Sequence, residues 1–115
     1  MKKIKKILII SHDPDFSQKV LGLTKSAEVE ILLANGLSEG ENLMAKESIS
    51  GIIIEYSAGS DPTVLSGFLS RQNIRQVPTL LAAKENRFLS DFNGENILKY
   101  GFDEIDIGIQ KLMER

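Results

Sequence analysis

Five short apolar runs punctuate this chain, each separated from the next by a stretch of different periodicity. "ILII" (Ile7 to Ile10), "VEILLA" (Val29 to Ala34), "GIIIEY" (Gly51 to Tyr56), "TLLAA" (Thr79 to Ala83) and "NILKY" (Asn96 to Tyr100) have the length of strands. Runs with little polar interruption suit strands covered on both faces, the condition of a parallel sheet. Val29 and Ile31 alternate with charged or open positions, which places the second strand nearer an edge.

The intervening stretches have helical spacing. Phe16, Val20, Leu23 and Ala27 recur at i, i+4, i+7 and i+11 and make one apolar stripe. Asp13-Pro14 precedes that stripe as a start signal, because aspartate accepts from free backbone N–H groups and proline fits the first helical position. Asp61-Pro62 opens the segment carrying Val64, Leu65, Phe68 and Leu69 in the same way. Ser38-x-x-Glu41 fits a capping box for a second helix with a weak stripe, Leu43 and Met44. Phe88, Leu89 and Phe92 suggest a short fourth helix stopped at Asn93-Gly94. The last segment reads as a helix through Ile105, Ile109, Leu112 and Met113, although Gly108 costs it about 1 kcal/mol relative to alanine. The whole is an α/β chain of five βα units: a five-stranded parallel sheet with helices on both faces, joined by right-handed crossovers.

A length of 115 residues suits a single domain, taken as 1–115. With 42% apolar and 26% charged residues, the expectation is a soluble globular protein. A net charge of -2 gives no argument for nucleic acid or an anionic membrane as partner. Lys2, Lys3, Lys5 and Lys6 form a local basic patch, read as the solvated entry to a strand. The absence of cysteine excludes disulfides and thiolate chemistry, and one histidine, His12, excludes a multi-histidine metal site. The apolar run after the first lysines is too short for an export signal, and no segment could span a bilayer, so the expected location is cytoplasmic.

In an open α/β sheet, ligands bind beyond the carboxyl ends of the strands. The residues leaving the strands are Ser11, His12 and Asp13; Asn35 and Gly36; Glu55, Tyr56 and Ser57; Ala83 and Lys84; Lys99 and Tyr100. Strands one, three and five should bring His12, Asp13, Glu55 and Lys99 into one neighbourhood.

At these residues the chain resembles the receiver domain of two-component response regulators. "KKILIISHDPDF" looks like that family's first strand and loop, "SGIIIEY" its third strand, "QVPTLLAA" its fourth and "NILKYGF" its fifth. The resemblance implies a flavodoxin-like (βα)5 fold with strand order 2-1-3-4-5. It also implies a site where an aspartate ending the third strand takes a phosphoryl group beside Mg²⁺. Such a site needs acidic residues after the first strand as hard oxygen ligands, a hydroxyl after the fourth strand and an ammonium after the fifth.

Here that apparatus is altered. The acidic pair falls on Ser11 and His12, or after a one-residue slip on His12 and Asp13. The phosphoacceptor position is Glu55, the hydroxyl position is Ala83, and only Lys99 is retained. The aromatic expected three residues before the lysine is Asn96, and the proline after it is Tyr100, so a cis peptide is not expected there. Glutamate also carries its carboxylate one methylene further, and a misplacement of about 1 Å can cost on the order of a hundredfold in rate.

The resulting expectation is a pseudo-receiver, not an enzyme, that signals by protein–protein contact without conventional phosphorylation. Mg²⁺ binding is expected to be lost or weak, with no metal site and no other cofactor. Glu55 has three candidate roles: a substitute for the phosphorylated state, an ion pair with Lys99, or a solvated strand end. Phe88, Phe92, Asn96, Tyr100 and Phe102 mark a candidate interaction face, although most of the aromatics should be core. On that face, formed by the fourth helix, fifth strand and last helix, the resemblance implies docking of a signalling partner or of a second copy. One alternative is an atypical phosphorelay receiver regulated by a phosphodonor or ligand. Another is a flavodoxin-like enzyme or nucleotide binder, disfavoured because no G-x-G-x-x-G or P-loop follows the first strand.

Overall fold

A computed structural model of the chain describes residues 5–24, 29–56, 61–74, 76–85, 89–90, 92, 94 and 96–114. Five strands, β1 (Lys5–Ile10), β2 (Val29–Ala34), β3 (Gly51–Glu55), β4 (Thr79–Ala83) and β5 (Ile97–Gly101), form one parallel sheet in the order β2-β1-β3-β4-β5. Four α-helices accompany them: α1 (Pro14–Thr24), α2 (Leu37–Lys46), α3 (Pro62–Ile74) and α4 (Ile105–Met113). The order and the parallel pairing are those the resemblance implies, and β2 is an edge.

Strand alternation divides the apolar runs between two cores. Ile7, Ile9, Ile53, Leu80 and Ala82 face α1 and α4, where Phe16, Val20, Ile105, Ile109 and Leu112 cover them. Leu8, Ile10, Ile52, Ile54 and Leu81 face α2 and α3, beneath Leu65, Phe68 and Leu69. β4 is buried throughout, so its run reads as continuously apolar.

The caps follow the sequence in part. Asp13 Oδ1 accepts from Asp15 N at 3.0 Å and Asp61 Oδ1 from Thr63 N at 2.9 Å, so both Asp-Pro pairs start helices. The Ser38-x-x-Glu41 box is corrected. α2 begins two residues earlier, after Gly36, which makes no side-chain cap. Glu39 instead reaches back to accept from Asn35 N at 3.2 Å, and Glu41 pairs with Arg71 on α3. The α1 stripe is also corrected. Leu23 is 43% exposed and Thr24 takes the buried place, its hydroxyl donating to Val20 O at 2.9 Å so that its polar atom is satisfied.

Between β4 and β5 the described residues contain no α-helix, whereas a short fourth helix was expected. Leu89 and Phe92 are nonetheless buried, and Phe92 N donates to Leu89 O at 3.1 Å in a turn. Ala27, Ser57, Phe88 and Asn93 lie outside the described residues, as do Lys2 and Lys3.

Gly108 repays its helical cost. A Cβ there would stand 2.8 Å from Tyr100 Cδ2 and 2.9 Å from Leu80 Cδ1, so its absence lets α4 lie directly on β4 and β5. Lys5 and Lys6 serve the fold: Lys5 Nζ donates to Met113 O at 2.6 Å, and Lys6 pairs with Glu47 at 2.8 Å and Glu30 at 3.7 Å. No helix among the described residues is long and apolar enough to cross a membrane.

Candidate functional site

The carboxyl ends of β1 and β3, on either side of the point where strand order reverses, meet the starts of α2 and α3. Ser11 continues the β1–β2 ladder, its N donating to Ala34 O at 3.0 Å, and its side chain is only 6% exposed. Its Oγ accepts from Asp13 N at 2.9 Å. The single hydroxyl proton faces Glu55 Oε1 and Asp13 O, each at 3.2 Å. The ionised carboxylate is the stronger acceptor of the two. Ser11 thus ties the end of β1 to the end of β3 through Glu55.

Lys99 lies on a strand that does not adjoin β3. Across β4, the residue at the level of Glu55 is Tyr100, through the pairs Glu55–Ala82 and Ala82–Tyr100. β5 runs on past Lys99 to Gly101 with no cis peptide, so alternation turns Lys99 to the sheet face opposite Tyr100. Two strand spacings, about 9.5 Å, separate β3 from β5. The half-buried Glu55 carboxylate is held by the Ser11 hydroxyl, so the solvated reading does not describe it.

His12 is exposed and lies over the start of α2, where a Cβ on Gly36 would stand 3.6 Å from its Cε1. Asp13 is held by its capping bond at the start of α1. Ala83, at the hydroxyl position, is fully buried and offers no polar group. These residues do not fit Mg²⁺, which favours several hard oxygen ligands. Asp13 is engaged as a cap, and Glu55 is the one other carboxylate among the receiver-site positions. Among the described residues, no three His, Asp or Glu side chains are grouped to hold a metal ion.

A pocket of about 350 Å³ opens beside this junction, on the α2/α3 face. Ile10 and Ile54 form its floor, both nearly inaccessible. Leu37, Tyr56, Val64 and Leu65 form its walls, and Ser11, His12, Ser38, Glu55 and Asp61 contribute its polar groups. Sequence reasoning singled out Ser11, His12, Gly36, Glu55 and Tyr56 as strand-exit residues but missed Leu37, Ser38 and Val64 as pocket residues. The available signal was position: Pro62 at the first turn of α3 brings Val64 close to the strand ends, where it stays 53% exposed.

The aromatic face is rearranged relative to expectation. Phe92 is buried and meets Tyr56 edge-on, with ring centroids 5.3 Å apart at 67°, so it is a core residue and not a surface anchor. Phe102 is half-buried against Phe16 at 5.0 Å, and Tyr100 lies beneath α4. Asn96 accepts from Thr79 N at 2.8 Å through its carbonyl. Among the described residues of this region, the exposed large apolar one is Ile107 on α4, 44% exposed beside Gln110 and Lys111.

No protein-family model matches the chain, and no curated protein matches it. Solved structures do. The chain is similar to the signal receiver domain of an HD domain-containing protein from Pseudomonas fluorescens Pf-5, at 12% identity and a TM-score of 0.72, over 99% of this chain and 90% of that one. It is similar to the non-phosphorylated HemR receiver domain from Leptospira biflexa, at 12% identity and a TM-score of 0.68, over 96% and 95%. A two-component response regulator from Clostridium difficile matches at 21% identity and a TM-score of 0.67, over 96% and 97%. The chain therefore has the fold of response-regulator receiver domains, and at these identities the likeness is one of fold.

Proposed function

We propose that this chain is a pseudo-receiver: a non-enzymatic signalling domain that acts through protein contacts and does not cycle through phosphorylation. The observation that carries the reading is the Ser11–Glu55 hydrogen bond. A serine where the family carries an acid, bonded to a glutamate where it carries the phosphoacceptor, closes the junction without metal or phosphate. Ala83 supports the same reading, because a fully buried methyl group cannot hold a phosphoryl oxygen. The ordinary route from that site to an aromatic switch is missing too, since Asn96 holds the position.

Partner contact is assigned to β5 and α4, with Ile107 as its apolar centre. A second copy of the chain is the first partner to test. Sedimentation should show concentration-dependent association that Ile107→Lys abolishes; a strict monomer would remove the homodimer from this reading.

The loss of switching is tested by ligand-linked stability. A ligand that binds only the folded state raises the thermal midpoint. Saturating Mg²⁺ with beryllofluoride, a phosphoryl mimic, should leave the midpoint of this chain unchanged. A clear rise that Glu55→Ala removes would restore the phosphorelay reading.

A further inference from the structure

The pocket above β1 and β3 has a chemistry that the pseudo-receiver reading does not use. Its volume of about 350 Å³ lies toward the small end of ligand pockets, which run from about 300 to 1,000 Å³. Its floor is apolar, since Ile10 and Ile54 belong to central strands buried on both faces. Val64 presents more than half of its surface at the wall, an exposure that a bound apolar body would relieve.

The polar groups are asymmetric in charge. Glu55 and Asp61 line the pocket, and among the described residues neither lysine nor arginine does. The start of α2 brings backbone N–H groups of its first turn, but Glu39 stands in that same turn with its carboxylate on Asn35 N and offsets their field. Ser11 holds Glu55 Oε1 and so fixes the carboxylate at the mouth of an apolar cavity. A fixed anion beside apolar walls favours a cation carried on an apolar body, because a partly desolvated carboxylate gains most from a charged donor.

We propose that this pocket binds a small organic cation, an amine or amidine borne on an aromatic or branched apolar group. Glu55 receives the charged head. Tyr56, Leu37 and Val64 enclose the body. The site differs from a receiver's metal site in needing one carboxylate and an apolar wall instead of several oxygen ligands, and it stands whether or not α4 docks a protein.

Benzamidine is a suitable probe, with neutral benzamide and anionic benzoate as controls of nearly the same shape. Titration of the full chain, followed by backbone amide NMR, should move signals at Ser11, His12, Tyr56 and Val64 with benzamidine. Benzoate should not move them, and benzamide should bind more weakly. Glu55→Gln should weaken benzamidine by roughly tenfold, the loss of one charge-assisted contact. Should that variant disturb the fold, Val64→Ala at its exposed position should still weaken binding a few-fold through lost apolar contact. Equal binding of benzamide or benzoate overturns the proposal, as does unchanged affinity in both variants. Shifts centred elsewhere, or the same shifts produced by Mg²⁺ alone, overturn it too.

Discussion

The two faces of the sheet are covered by different means. Under α4, a glycine brings the helix onto the Tyr100 ring and Leu80, while Ile105, Ile109 and Leu112 fill the space over Ile53. Under α2, the one fully buried helical residue is Gly40, and Leu37, Leu43 and Met44 are only partly covered. α3 seals the middle of that face with Phe68 and Leu65, but the rim above β1 and β3 stays open as the pocket. The difference teaches that the continuous apolar strands stabilise the fold from the centre outward. One upper corner is then left for chemistry that the core does not require.

The largest expected effect breaks the sealed part of the open face. Phe68 is wholly buried, and Phe68→Ala should cost about 3–5 kcal/mol by chemical denaturation. The two glycines sharpen the comparison directly. Gly108→Ala drives a methyl into a ring and a buried leucine, and should cost about 1–3 kcal/mol despite the gain in helix propensity. Gly40→Ala meets Ile10 Cδ1 at 2.6 Å, but that is the free end of a flexible side chain beside the pocket. Its cost should stay below about 1 kcal/mol, offset by propensity. Equal costs at the two glycines would mean that the faces are packed alike.

The smallest effect lies at the far end of β1. Glu47, hydrogen-bonded to Lys6, raises the lysine's pKa above its ordinary value of 10.5. A raised pKa stabilises the folded state below the ordinary value and loses that contribution as pH rises through the folded one. Glu47→Gln should therefore lower the thermal midpoint slightly at neutral pH. The gap to the parent protein should close at pH values above the titration of Lys6.

Much of the fold was legible because its signals are local and redundant. Three isoleucines after Gly51 read as a buried strand in any register, and the Asp-Pro pairs carry their own cap. The start of α2 was misplaced because Glu39 and Glu41 offer the same chemistry two residues apart, and only packing chooses between them. The site was legible as a set of positions, but its contacts were not. Ser11 and Glu55 meet because β1 and β3 are neighbours in the sheet, which no local sequence pattern states. The pocket had no signature at all, since an apolar stripe on α3 does not say which of its residues stays uncovered.

The central claim is that the junction of β1 and β3 is closed to phosphotransfer. Intact-protein mass spectrometry after incubation with acetyl phosphate and Mg²⁺ tests it most directly, with Glu55→Asp alongside the parent chain. Both should keep their mass, because restoring the acceptor leaves Asp13 a cap and Ala83 without a hydroxyl. A stoichiometric phosphoryl adduct on Glu55 of the parent chain, stable in acid and labile in base, would contradict the account.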